Sequence, residues 1–237
     1  MKILLFVALL SPFVLSAQSD KASDVYGAGV RAYYAEDYVT ALSKYTEALT
    51  LKPNTLGYLY SRGLTYEKLN NDSMAILDFQ KVVAIDPKYI DAWYQLGEIQ
   101  MNQRHYEAAG ELFAKVLLVS PNELRSLHQL GLVMYYRHKY FDAVDIYSKI
   151  IKMDPADEQA YFKRGLVKFN DSDFEGAAND FSESYRINPE NSLALEQRAL
   201  SYVRNNELEK ACSDWNILQK KGNPRALTNI NTYCGKN

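Results

Sequence analysis

Three histidines, two cysteines and a glycine pair are the residues of this 237-residue chain whose types could do chemistry. A metal site or a nucleophile–base pair needs such groups at a spacing that brings them together on one helix face or in one loop. His105, His128 and His138 have no such spacing, and His-Glu-x-x-His is absent. Gly27 and Gly29 form a lone Gly-x-Gly in a helical stretch, a poor match to a dinucleotide loop. Carboxylates are scattered, and nothing in their spacing pairs two of them for acid–base work. The chain therefore predicts no catalytic residue, no metal ligand and no cofactor, which is to say a protein that is not an enzyme. A net charge of −2 provides no basic face for nucleic acid. Cys212 and Cys234 stand near the C-terminus. In an oxidising compartment they would form a disulfide worth roughly 3 kcal/mol by chain entropy, the alternative being two buried free thiols.

The compartment is suggested by the first seventeen residues. Lys2 precedes a uniformly apolar run from Ile3 to Leu10, Pro12 breaks it, and Leu15-Ser16-Ala17 closes it with small side chains. This is the layout of a secretory signal peptide over 1–17, cleaved after Ala17, and the run is too short to span a bilayer comfortably. The expected location is the periplasm or cell envelope, or outside the cell. Once the leader is removed the chain is expected not to span the membrane.

What must position everything else is a period of 34 residues. Gly29, Gly63, Gly97, Gly131 and Gly165 keep it, as do Ala41, Ala75, Ala109, Ala143, Ala177 and Ala211, and the prolines Pro53, Pro87, Pro121, Pro155 and Pro189. Polar clusters such as Glu36-Asp37, Asn70-Asn71-Asp72 and Asn205-Asn206 end one helix and begin the next. The stretch Ile90–Glu123, with Trp93, Leu96, Gly97, Ala109, Phe113 and Pro121, resembles the tetratricopeptide repeat, a pair of antiparallel helices of that length. The resemblance implies an all-α, right-handed superhelical solenoid of six helix-turn-helix repeats. Their expected spans are 22–55, 56–89, 90–123, 124–157, 158–191 and 192–225, with 226–237 as a C-terminal cap. Small Gly and Ala at the eighth and twentieth places let helices cross closely. The twenty-fourth place (Tyr45, Phe79, Phe113, Tyr147, Phe181, Trp215) is expected to fill the gap to the next repeat. The closing run from Ala211 to Cys234 also resembles exported repeat proteins of Bacteroidetes-type bacteria.

In this family the first helices line a concave groove. Its fifth places here are Tyr26, Tyr60, Tyr94, His128 and Phe162; its twelfth places include Tyr33, Met101, Tyr135 and Phe169. Polar groups on the same face are Gln95, Glu98, Gln129 and Lys163, with Glu67, Lys68, Asp91 and Arg125 beside them. Exposed aromatic clusters usually mark an interaction surface, although some of these rings could simply pack against the neighbouring repeat. The resemblance thus implies a scaffold that binds a protein or peptide partner. The alternatives are a glycan stacking on the same rings and self-association into a homodimer. The chaperone-tail subclass clamps a C-terminal carboxylate with Lys and Asn at the second, fifth, sixth and ninth places. The first three repeats carry neither residue there.

Overall fold

A computed structural model describes the backbone of residues 12–235 and side chains from 21 to 235. The leader expected over 1–17 lies outside the residues whose side chains are described. Among the described residues there are thirteen α-helices and no strand, and the chain divides into two compact units after Gln103. The first unit holds α1 (Pro12–Tyr34), α2 (Tyr38–Leu51), α3 (Leu56–Lys68), α4 (Asp72–Ile85) and α5 (Ile90–Asn102). The second holds α6 (Tyr106–Val119), α7 (Leu124–Tyr136), α8 (Tyr140–Met153), α9 (Glu158–Asn170), α10 (Phe174–Ile187), α11 (Ser192–Arg204), α12 (Leu208–Lys220) and α13 (Ala226–Tyr233). Within each unit, helices pack chiefly on their neighbours in the chain, as stacked repeats must. In the second unit α9 also touches α7 and α11, so first helices lie side by side.

Each turn between paired helices rests on one backbone feature. The fifteenth places Glu36, Asn70, Arg104, His138, Ser172 and Asn206 all have φ between 56° and 69°. The next amide donates back five residues, as in Asn71 to Tyr66 at 2.8 Å and Glu207 to Tyr202 at 2.8 Å. This is the Schellman ending, which satisfies the last carbonyls of the first helix. The sixteenth residue then caps the second helix where it can: the side chains of Asp37, Asn71 and Asp173 accept from Thr40, Met74 and Gly176 amides. His138 and His105 belong to these turns, His138 with its Nδ1 2.9 Å from the Tyr140 hydroxyl and His105 at the N-cap of α6.

The small-residue ladder has a sharper cause than close helix crossing. A Cβ added at Gly29, Gly63, Gly131 or Gly165 would lie 2.6–2.8 Å from the ring of Tyr45, Phe79, Tyr147 or Phe181. The twenty-fourth-place ring therefore packs on the glycine of its own repeat, as well as on the next. Tyr147 clusters with Leu127 of its own repeat and with Ala160 and Val167 of the next. In the sixth repeat Ala199 stands in for Gly and packs with Trp215, Leu218 and Ala226. There α13 closes the stack: Cys212 and Cys234 are joined in a disulfide, and the Tyr233 ring stacks on Trp215 at 5.2 Å.

Candidate functional site

The first helices carry the predicted groove residues on one stripe, because places five, nine and twelve are four and three apart. In the first unit this stripe holds Tyr26, Tyr33, Tyr60, Tyr94, Gln95, Glu98 and Met101, all partly buried. Tyr26 rests on Tyr45 at 5.4 Å, stacks on Tyr58 at 4.5 Å, and shares a 3.0 Å hydrogen bond with Ser61. Tyr60 packs on Phe79 at 5.5 Å and Tyr89 at 5.3 Å, with the Gln95 side chain near enough to act on its hydroxyl. In both, the fifth-place ring lies on the twenty-fourth-place ring of its own repeat, and the sixth place of the next repeat faces its hydroxyl. Burial pushes the Tyr60 hydroxyl up to about 12, so it stays protonated and able to donate.

Between α1 and α3 these side chains leave a cavity of about 130 Å³, lined by Tyr26, Val30, Tyr33, Tyr34, Ser61 and Leu64 over Tyr45. Beside it, Glu67 occupies the twelfth place of the second repeat. Burial, then the charges of Asp72 and Glu98, raise its carboxyl from 4.5 to about 7. The folded state therefore holds this proton more tightly than the unfolded chain does. Its favourable contribution is complete below about pH 4.5 and is lost as pH rises through 7. Glu67→Gln should accordingly raise the melting temperature at pH 8 and leave it nearly unchanged at pH 4, as circular dichroism would read. An equal shift at both values would count against a buried carboxylate.

The second unit repeats the arrangement with different chemistry. His128 lies 6.2 Å from Tyr147, and its Nε2 is 2.8 Å from Asp157, whose other oxygen caps α9 through Ala160. His128 is thus committed to the joint between two repeats. Phe162 rests on Phe181 at 5.6 Å. Tyr135 accepts a hydrogen bond from Asn170 at 3.2 Å, and Phe169 lies 5.4 Å from Phe174, with Arg204 4.6 Å over the latter. Gln129 and Lys163 are half-buried at their sixth places. Among the described residues no three His, Cys, Asp or Glu side chains converge as a metal site would need. No described helix is long and apolar enough to cross a membrane.

One feature escaped the residue-by-residue reading. Arg62, Arg164 and Arg198, at seventh places, grip Asp78, Asp180 and Asp214 in two-pronged ion pairs of 2.6–2.8 Å. Each guanidinium also reaches a hydroxyl of the preceding repeat: Thr46 at 3.5 Å, Ser148 at 2.9 Å and Ser182 at 3.1 Å. The signal was present: the third and fourth repeats replace Arg and Asp together, by Leu96 with Leu112 and by Leu130 with Ile146.

Family models settle what these repeats are: models described as tetratricopeptide repeat match residues 56–89, 75–130 and 128–192. The chain belongs to the tetratricopeptide repeat family. Its likeness to curated members is local. The small glutamine-rich tetratricopeptide repeat-containing protein 2 of Saccharomyces cerevisiae is 33% identical over 91 residues, 38% of this chain and 26% of that protein. The heat-shock protein cognate co-chaperone sgt12 of Aspergillus fumigatus is 28% identical over 95 residues, 40% of this chain and 28% of that protein. The chain thus spans about a quarter of the length of these curated relatives. Among solved structures, the C-terminal part of a tetratricopeptide repeat protein from Cytophaga hutchinsonii has a TM-score of 0.77 at 20% identity, over 91% of this chain and 92% of that one. YrrB, described as a tetratricopeptide repeat protein with an unusual peptide-binding site, has a TM-score of 0.67 at 16% identity, over 79% and 97%. At those identities the likeness is one of fold. Tetratricopeptide repeat proteins are in general protein-interaction scaffolds rather than enzymes.

Proposed function

We propose that this tetratricopeptide repeat protein is a non-catalytic adaptor that binds a peptide or partner helix along the first helices of its repeats, and that it works after export, in the cell envelope. The observation that carries the reading is, within each unit, a row of half-buried rings at the fifth and twelfth places, with Gln95 and Glu98 among them in the first and Gln129 and Lys163 in the second. A ring packed on its neighbours yet still partly exposed is held rigid before a ligand arrives, so little side-chain entropy is lost on binding. The peptide-binding site attributed to YrrB supports the same use of the fold. The co-chaperone relatives do not extend to a chaperone-tail clamp. In the first three repeats the second, fifth, sixth and ninth places are Ser23, Tyr26, Gly27 and Val30; Gly57, Tyr60, Ser61 and Leu64; and Asp91, Tyr94, Gln95 and Glu98. A cationic grip on a terminal carboxylate would need Lys or Arg there.

The test is crosslinking and affinity purification of the processed protein from its native envelope, beside a Tyr60→Ala, Tyr94→Ala, Phe162→Ala variant. Defined partners captured by the wild type and lost in a variant of unchanged helix content are the expected result. Each true anchor should contribute about 2 kcal/mol. A variant that captures the same partners equally well would sink the groove reading, and a wild type that instead elutes as a dimer would favour self-association.

A further inference from the structure

We propose that the cleft between α1 and α3 is a receptor for a cationic side chain, the ammonium or guanidinium end of a Lys- or Arg-bearing peptide. The inference rests on the groove reading above and names its ligand chemistry for the first unit. Tyr26, Val30, Tyr33 and Tyr34 fall at i, i+4, i+7 and i+8 of α1 and so share one face. Ser61 and Leu64 of α3 oppose them, and the buried Tyr45 forms the floor. The space of about 130 Å³ suits the end of one long side chain. Aromatic faces carry negative charge density and attract a desolvated cation.

Carboxylates gather on the Glu67 side of the cleft, while Arg62 of α3 is held by Asp78 and Arg31 of α1 is exposed. Glu67 lies three residues beyond Leu64 and acts electrostatically on Tyr33 of α1 and on Tyr60 of its own helix. Asp72 of α4 and Glu98 of α5 act on Glu67 in turn, and Asp91 acts on Tyr60 and Tyr89. The cation beside Glu67 is Lys68, at the exposed end of α3, and Lys44 of α2 is engaged by Glu47 at 2.9 Å. An anionic peptide would meet this field unfavourably, and a neutral glycan would leave it unused. Without three converging metal ligands among the described residues, the complementary occupant is an organic cation. A bound cation favours the ionised form of Glu67, whose carboxyl is raised to about 7 by burial and by the charges of Asp72 and Glu98 against that of Lys68, so affinity should rise between pH 6 and pH 8.

The probe is a fluorescein-labelled Gly/Ser peptide carrying four lysines, titrated into the full processed chain at pH 8 and low salt, with a four-glutamate peptide as control. The lysine peptide should bind and the glutamate peptide should not. Tyr33→Leu and Glu67→Gln should each weaken binding about fivefold, Tyr33→Phe should restore it, and Glu111→Gln, a surface carboxylate of the second unit, should leave it unchanged. Helix content and melting temperature establish that each variant is folded. Lysine-peptide binding within twofold of wild type in both Tyr33→Leu and Glu67→Gln, equal binding of the glutamate peptide, or no lysine-peptide binding would overturn the inference. If the lysine peptide fails while the Tyr60/Tyr94/Phe162 variant still loses its captured partner, the groove reading stands and the cation assignment alone falls.

Discussion

Asp214→Ala is expected to lower stability by about 3–5 kcal/mol, because it leaves the Arg198 guanidinium buried beside Ser182 with its carboxylate gone. The side chains are 18% and 5% exposed, so solvent does little to screen the loss. The paired change Arg198→Leu with Asp214→Ile should behave quite differently. It converts the sixth repeat to the apolar solution that the fourth already uses in Leu130 and Ile146. Replacing a buried ion pair by well-packed apolar groups is often neutral or stabilising. Ser182 keeps a partner, since its hydroxyl also donates to the Ala178 carbonyl at 2.8 Å. Urea denaturation of the two single variants and the double completes the cycle; additive losses would mean that the pair is not coupled as described.

The second large effect concerns a glycine. Helix propensity alone would have Gly63→Ala stabilise α3 by about 1 kcal/mol. The structure reverses the sign, because the new Cβ would sit 2.6 Å from the Phe79 ring, which is fully buried and has nowhere to retreat. Overpacking of this kind typically costs about 1–3 kcal/mol, and Gly63→Leu should exceed it. Gly57 on the same helix is the control: nothing lies within 4 Å of its Cβ position, so Gly57→Ala should be neutral or stabilising. A thermal melt in which Gly63→Ala is the more stable of the two would refute the packing account.

These two predictions also mark how far the sequence could be read. The 34-residue step of Gly, Ala and Pro, with polar clusters between, was enough for helix pairs and their stacking, because helices and turns are local and a repeat imposes the same local solution again and again. The joint replacement of Arg and Asp by aliphatics was legible in the same way, once seventh and twenty-third places are compared across repeats. It was missed because each residue alone reads as an ordinary surface charge. The turn at His138 has no Gly, Asn or Asp to mark it, yet adopts φ 56° like the others.

Other features depended on distances between helices, which no spacing along the chain encodes. Whether a fifth-place ring is engaged follows from its reach to the next repeat: Tyr26 meets Ser61 and His128 meets Asp157. Glu67 looks like any polar helix residue in the sequence. Its raised proton affinity comes from burial and from Asp72 and Glu98 on two other helices. Periodicity along the chain thus determined the helices, their pairing and the face on which the fifth- and twelfth-place rings fall. The tertiary structure decided which rings on that face are already partnered and where negative charge collects, because burial and field are set by elements distant in sequence and adjacent in space.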